Sequence, residues 1–442
     1  MKFPEISQLY SVFLKYPNVI TDSRKAAAGT LFFSLKGENF DGNEFAASAL
    51  QQGCNYAVID NENFYKGEKY ILVKDCLATL QALAKYHRES LKDLPACRQV
   101  PFIAITGSNG KTTTKELIKS VLSKKYKVLA TTGNLNNHIG VPLTVLSITS
   151  DIEIAVIEMG ANHIGEIAML CDIAQPDYGL ITNIGKAHLG EFGSFDAVVK
   201  AKTELYQFIR KKKGKVFVNC ENDLLMLHSS GMDKTTYGIS EKAFCSCRLS
   251  GAEPFLKVTY ENELISSQLI GKYNFENVAA AICIGKYFGV DVRKIKEAIE
   301  TYVPSNNRSQ VIKTKINTLI LDAYNANPSS MCVAIENFHD MKGENKWLIL
   351  GDMLELGEYE IGEHKNILQL IAEKKFNNVI LVGERFSKTV SEMRINFPNQ
   401  LLFKNSDELV NRLKLTPLSD TPSIILIKGS RGMKLEKAVE FL

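Results

Sequence analysis

A chain of 442 residues is too long for one ordinary hydrophobic core, so two or three domains are expected. Apolar residues make up 45% and charged residues 23%, the balance of a soluble globular protein. With 53 basic against 49 acidic side chains the net charge is +4, which carries no nucleic-acid footprint and leaves room for a local anion site.

The first region, residues 1–98, alternates short apolar runs (Gly29–Leu35, Tyr56–Asp60) with helical stretches at Glu44–Gln52 and Leu77–Ser90. It reads as small and mixed α/β, closed by a linker, Arg88–Pro101, rich in charge and proline. No sustained apolar stretch or small-residue cleavage site marks the N-terminus as a signal peptide. No run approaches the ~18 apolar residues of a membrane span, so a cytoplasmic protein is expected.

From Pro101 the apolar strand Phe102–Thr106 enters a glycine-containing turn and then a helix, Thr114–Lys125. Further apolar strands at Ile154–Met159, Tyr178–Ile184 and Lys215–Asn219 alternate with helical segments, which predicts a parallel sheet wound with helices. The region closes with helices Asn277–Phe288 and Arg293–Tyr302, setting the second domain at 99–307. Within it, the basic run Arg210–Lys215 reads as a helix C-terminus whose cations complement the macrodipole. Strands at Asn317–Tyr324, Trp347–Met353, Val379–Glu384 and Ser423–Gly429 then predict an open-sheet α/β domain over 308–442. The nine cysteines are odd in number and scattered, with one C-x-C pair, Cys245 and Cys247, so buried free thiols are expected.

The sharpest local signal is ITGSNGKTT, Ile105–Thr113, between a strand and a helix. Backbone N–H groups of Gly107, Ser108, Asn109, Gly110 and Thr113 can surround phosphate oxygens at the helix N-terminus. Lys111 would reach the β/γ-phosphates and the Thr112 hydroxyl would sit on Mg²⁺. Gly107 stands nearer to Gly110 than the strict G-x-x-x-x-G-K-[ST] spacing requires. Glu158 ends the strand Ile154–Met159, where a carboxylate faces the ligand crevice of a parallel sheet and suits Mg²⁺. The following strand brings His188 to the same edge, and the helical stretch Ser194–Phe208 carries Lys200 and Lys202. Taken singly, that histidine is an ordinary polar residue and those lysines lie on a solvated face.

Taken together these blocks resemble the Mur ligases of peptidoglycan-precursor synthesis, over essentially the whole chain. TGSNGKTT is similar to that family's phosphate loop with its shorter glycine spacing. EMGANHIGEI, TNIGKAHLGEFGS and AKTEL follow in the family's order. The resemblance implies that Lys202 rather than Lys200 is carbamylated, becoming an anionic oxygen ligand beside His188 at a second Mg²⁺. It makes Lys111, His188 and Lys202 catalytic, with Thr112, Glu158, His188 and Lys202 as metal ligands. TDSR and GTLFFSLKGENFDGNEF are similar to the members that take long UDP-muramoyl peptides, with Asn43 where histidine is usual; Ser23, Arg24, Lys36 and Gly37 would meet the uridine diphosphate, although ordinary turn roles fit them as well. TTGNLNNHIGVPLTVL, DAYNANPSSM and LGDMLELGEYE resemble the members that join D-alanyl-D-alanine to UDP-N-acetylmuramoyl-tripeptide. In GKYNFENVAAA, Tyr273 replaces a usual histidine; Asn274, Asn277, Arg308 and Asp322, with Tyr324 and Asn327 close by, would serve ATP. Asn136, Asn137 and His138 would meet the tripeptide, and Lys428, Ser430 and Arg431 would act from the C-terminal domain.

What the resemblance implies is an ATP-dependent ligase that works through an acyl phosphate and uses two Mg²⁺ ions. Nothing in the sequence demands more than a monomer, and because nucleotide on the central domain must meet groups of the C-terminal domain, closure about a hinge is expected. Three rival readings stand beside it. One is a Mur-type ligase adding another amine, and the second a folylpolyglutamate synthase-like enzyme, which has no need of the blocks before residue 98. The third is a non-catalytic nucleotide-binding regulator, which has little use for two metal sites.

Overall fold

The computed structural model describes residues 3–92, 99–186, 189–304, 307–419 and 421–442. His188, Cys97 and the linker positions 93–98 and 305–306 lie outside the described residues. Three wholly or mainly parallel sheets succeed one another along the chain, joined by helices.

The first sheet has four parallel strands in the order Asn18–Ile20, Thr30–Phe33, Tyr56–Ile59, Tyr70–Leu72. Its last helix, Cys76–Lys92, packs against Gly140–Leu146 and Glu166–Ala174 of the next unit, so one apolar cluster spans both. Arg88 pins this junction from a fully buried position. Its guanidinium lies 3.6 Å from the Phe102 ring centroid, donates to the carbonyls of Ala174, Val100 and Gln175, and pairs with Asp177 at 2.7 Å.

The central sheet has seven parallel strands, with Phe102–Thr106 between Tyr178–Ile181 on one side and Ile154–Glu158 on the other. Phe102–Thr106 and Ile154–Glu158 are buried at every residue, as near-continuous apolar runs in a sheet covered on both faces should be. A three-stranded antiparallel sheet over Arg248–Ala252, Phe255–Tyr260 and Glu263–Ile270 also belongs here, and periodicity did not predict it. Its alternation of buried and exposed residues is that of a one-sided sheet. The helix ending in the basic run spans Phe195–Lys211, with Arg210 and Lys211 in its last turn.

The C-terminal sheet runs Gln310–Lys313, Thr318–Asp322, Ile424–Lys428, Lys346–Gly351, Asn378–Val382, Asn399–Phe403, parallel except for its first, antiparallel edge strand. Apolar clusters cover both of its faces. Eight described cysteines are free, all buried except the partly exposed Cys220 and Cys332. Among the described residues no helix is long and apolar enough to cross a membrane.

Candidate active site

Strand register assembles the site. Ile105 pairs with Glu158, and Thr106 with Ile181, so three neighbouring strands end together and their following loops meet at the carboxyl edge of the central sheet. This is the crevice where the strand order reverses.

In the phosphate loop, Gly107 and Gly110 take φ of +142° and +79°. A Cβ on Gly107 would fall 2.1 Å from Thr182 Oγ1, and one on Gly110 2.5 Å from Asn277 Oδ1, so both positions need glycine for conformation and for space. Because Gly110 makes the turn, the helix begins at Lys111, three residues ahead of the expected Thr114, and ends at Leu122. The neighbouring strand's end braces the loop: Ser108 N–H donates to Asn183 O, Asn109 N–H to Asn183 Oδ1, and Thr182 Oγ1 to Asn109 O. Tyr178–Ile181 stops three residues short of its expected end for that reason, its last residues serving the loop rather than the ladder.

The Lys111 ammonium folds back on this loop, donating to Gly107 O at 2.6 Å and Ser108 O at 3.2 Å. Desolvation pushes its pKa down to about 8 against the pull of Glu158, with Arg308 adding a smaller push. Glu158 is 1% exposed. Its Oε1 accepts from Thr112 Oγ1 at 3.2 Å and Asn136 Nδ2 at 2.8 Å. Its Oε2 is buried with no hydrogen-bond partner, the Lys115 ammonium lying 3.8 Å away, and a carboxylate oxygen so placed suits a hard divalent cation. Among the described residues no three His, Cys, Asp or Glu side chains cluster with metal-holding geometry.

Lys200 is exposed and Lys202, two residues on along the same helix, is 1% exposed. Lys202 Nζ donates to Ala161 O at 3.1 Å and lies 5.5 Å from the Phe192 ring centroid. Burial, helped by the nearby Lys111 charge, pushes its pKa down to about 7. It sits behind the cavity wall formed by Ala161 and does not itself line the cavity.

That cavity, of about 1300 Å³, is shared between the central and C-terminal units. From the central unit come Ser108–Thr113, Glu158, Asn136, Asn137, His138, Asn274 and Asn277. Asn277 Oδ1 accepts from Thr114 Oγ1 and its amide donates to Asn274 Oδ1, tying the helix Phe275–Tyr287 to the phosphate-loop helix. From the C-terminal unit come Arg308, Asp322, Tyr324, Asn327, Lys428, Ser430 and Arg431. Asp322 and Lys428 are register partners, and Lys428 Nζ bonds Asp322 Oδ2 at 2.5 Å. The guanidinium of Arg308 stacks 3.7 Å from the centroid of Tyr324, whose ring also lies 5.4 Å from Arg431.

Contacts on the cavity rim hold the two units together. Asn327 Nδ2 donates to Asn109 Oδ1 at 2.8 Å, Lys186 pairs with Glu363 at 2.9 Å, Gly190 N–H donates to Glu355 O, and Tyr359 Oη to Gly193 O. Gly190 and Gly357 touch backbone to backbone; a Cβ on Gly190 would lie 2.6 Å from Gly357 N.

The four N-terminal candidates stay apart from this cavity. Arg24 is exposed and paired with Asp22, Lys36 pairs with Asp60 at 3.0 Å, Ser23 opens a short turn, and Gly37 lies under the Phe40 ring. Asn43 is fully buried, its amide bridging Asp41 and Asp60, so the residue standing for histidine braces the fold. Asn137 Oδ1 accepts the N–H groups of Ile139 and Gly140 where the helix Gly140–Leu146 begins, and His138 is exposed.

Sequence reasoning passed over Asn183 and Lys115. Asn183 follows its strand as Glu158 ends its own, and Lys115 stands four residues beyond Lys111 on the same helix face.

Three profiles of the Mur ligase family match in succession: the family's catalytic domain over 15–88, its middle domain over 105–285 and its glutamate ligase domain over 307–431. The UDP-N-acetylmuramoyl-tripeptide–D-alanyl-D-alanine ligase of Bacillus subtilis (strain 168) is 35% identical over 433 residues, covering 96% of this chain and 92% of its own. That of Escherichia coli (strain K12) is 32% identical over 96% and 93%. A crystal structure of MurF from Acinetobacter baumannii superposes with a TM-score of 0.83 at 30% identity, over 96% of this chain and 92% of that one. MurF from Thermotoga maritima in complex with ADP gives 0.81 at 25% identity, over 97% of each. The chain belongs to the Mur ligase family and is an ATP-dependent, amide-bond-forming ligase.

Proposed function

We propose that this enzyme joins D-alanyl-D-alanine to UDP-N-acetylmuramoyl-tripeptide, acting as a monomer in the cytoplasm, with its three domains dividing near 98/99 and 307/308. The observation that carries the reading is the single cavity in which the phosphate loop and Glu158 face Arg308, Lys428 and Arg431 from the C-terminal unit. Near full-length similarity to tripeptide–D-alanyl-D-alanine ligases supports the choice of substrates.

A carboxylate is a poor acyl donor, so its oxygen first takes the γ-phosphoryl group of ATP and ADP departs. Lys111 and the loop N–H groups face the charge that spreads over the phosphoryl oxygens. The amine of D-alanyl-D-alanine then attacks the acyl carbon; phosphate leaves as the C–N bond forms, and the nitrogen loses a proton. Thr112 and Glu158 would hold one Mg²⁺, and His188 and carbamylated Lys202 a second; the ions would supply Lewis-acid stabilisation of phosphoryl charge. Glu158 Oε2, which carries no hydrogen bond, fits the first ion. For the second, a pKa near 7 leaves much of Lys202 as the free amine at neutral pH, and that amine adds to CO2 with loss of a proton. Asn274, Asn277, Arg308, Asp322, Tyr324 and Asn327 would serve the nucleotide; Asn136, Asn137 and His138 the tripeptide; Lys428, Ser430 and Arg431 the reacting end; and Ser23, Arg24, Lys36 and Gly37 the uridine diphosphate.

The test is phosphate release from ATP and Mg²⁺ with UDP-N-acetylmuramoyl-tripeptide, with and without D-alanyl-D-alanine, beside Lys202→Ala. Release that needs both substrates, yields a pentapeptide product and collapses in the variant is the expected result. Turnover indifferent to D-alanyl-D-alanine would mean a different acceptor.

A further inference from the structure

Lys115 lies one helical turn beyond Lys111 and is fully buried, a place that a lysine occupies only with partners. It has three. Its Nζ donates to Thr131 O at 2.6 Å, pairs with Glu116 at 2.9 Å and stands 3.8 Å from Glu158 Oε2. Thr131 Oγ1 in turn accepts the backbone N–H of Glu158 at 2.9 Å. Five residues beyond Thr131, Asn136 donates to the other Glu158 oxygen, which also accepts from Thr112 on the phosphate-loop helix. A closed ring of contacts thus runs from that helix through Lys115 to Thr131, on to Glu158, and back through Thr112.

We propose that Lys115 is a positioning residue for the ligase reaction, supplying the buried counter-charge that keeps the Glu158 carboxylate aimed at the phosphate loop and ready for the cation. The inference rests on the Mg²⁺ reading of Glu158 given above. Geometry favours this over a packing role. An apolar side chain would fill the space equally well, and Glu116 is part-exposed, whereas Glu158 is closed off from solvent. The 3.8 Å contact to Oε2 is also the longest of the three, so a cation can take that oxygen while Lys115 keeps its bonds to Thr131 and Glu116.

The experiment is calorimetric ADP binding, in Mg²⁺ and in EDTA, to the wild type, Lys115→Met, Glu158→Gln and the double variant. In the wild type Mg²⁺ should tighten ADP. Lys115→Met should reduce that tightening by about tenfold, the worth of one charged contact, with affinity in EDTA nearly unchanged. In the Glu158→Gln background the lysine substitution should change nothing further. Wild-type tightening retained in Lys115→Met overturns the inference and leaves the metal reading standing. Tightening absent from the wild type, or retained in Glu158→Gln, overturns both. Should Lys115→Met fail to fold, Lys115→Arg and Lys115→Gln carry the comparison: the arginine keeps the Mg²⁺ effect and the glutamine loses it, and equal effects in the two overturn the inference.

Discussion

Lys202→Met should stabilise the bare enzyme while it abolishes ligation. The ammonium is 1% exposed, and its hydrogen bond goes to Ala161 O. A drop in pKa from the ordinary 10.5 to about 7 means that folding with this lysine costs about 4 kcal/mol near neutral pH. Methionine matches its length and carries no charge, but it leaves a carbonyl without its donor and loses the contact with Phe192, which together return about 1–2 kcal/mol. The net gain is about 2–3 kcal/mol. Its pH dependence follows from the lowered pKa of a base. Between about pH 7 and 10.5 the unfolded chain binds more protons than the folded one, so this group makes stability rise with pH across that window. The cost is fully present below that window and vanishes above it, so the variant's advantage should be largest near pH 6–7 and fade towards pH 10.5. Urea unfolding at several pH values in bicarbonate-free buffer measures this. A variant less stable than the wild type near pH 7, or an advantage independent of pH, would refute the reasoning. Added bicarbonate should shift the wild type alone, since only it can carry the carbamate.

Gly190→Ala should hold the central and C-terminal units apart, because its Cβ would lie 2.6 Å from Gly357 N. Turnover should fall by about 100-fold, the scale expected of ångström misplacement, and ADP affinity by calorimetry should weaken as well, since Arg308, Asp322, Tyr324 and Asn327 of the C-terminal unit line the same cavity. Lys186→Glu and Glu363→Lys should each lower kcat, and the double reversal should recover it, with a coupling of about 1 kcal/mol or less for a pair that is half in water. Arg88→Met should cost about 2–3 kcal/mol in urea unfolding, since it leaves the carbonyls of Ala174, Val100 and Gln175 without their donor at the junction of the first two units, whereas Asp177 is part-exposed and keeps the Phe102 N–H.

Much of this protein could be read from local chemistry. Alternating apolar runs and helical spacing announced parallel sheets, because a strand buried on both faces must be apolar throughout, as Phe102–Thr106 is. The glycine turn at Gly107 and Gly110 and the helix that follows it stood out because they are built from consecutive residues, and Glu158 because it ends a strand at the crevice. The antiparallel sheet over 248–270 went unread: short one-sided strands with a bulge leave a weak period.

Tertiary structure decided whatever depends on residues far apart in sequence. Composition could not distinguish Lys200 from Lys202; burial does, since helix rotation turns one to solvent and the other inward. It could not foresee that Lys202 lies behind Ala161, that Lys115 closes a ring through Thr131 and Glu158, or that Asn43 is committed to Asp41 and Asp60. Nor could spacing seat Asn327 on Asn109, or Gly190 on Gly357, across more than 160 residues of chain. Spacing fixes which residues share a turn or a face, whereas desolvation and interdomain contact depend on what packs opposite, and only the folded chain determines that.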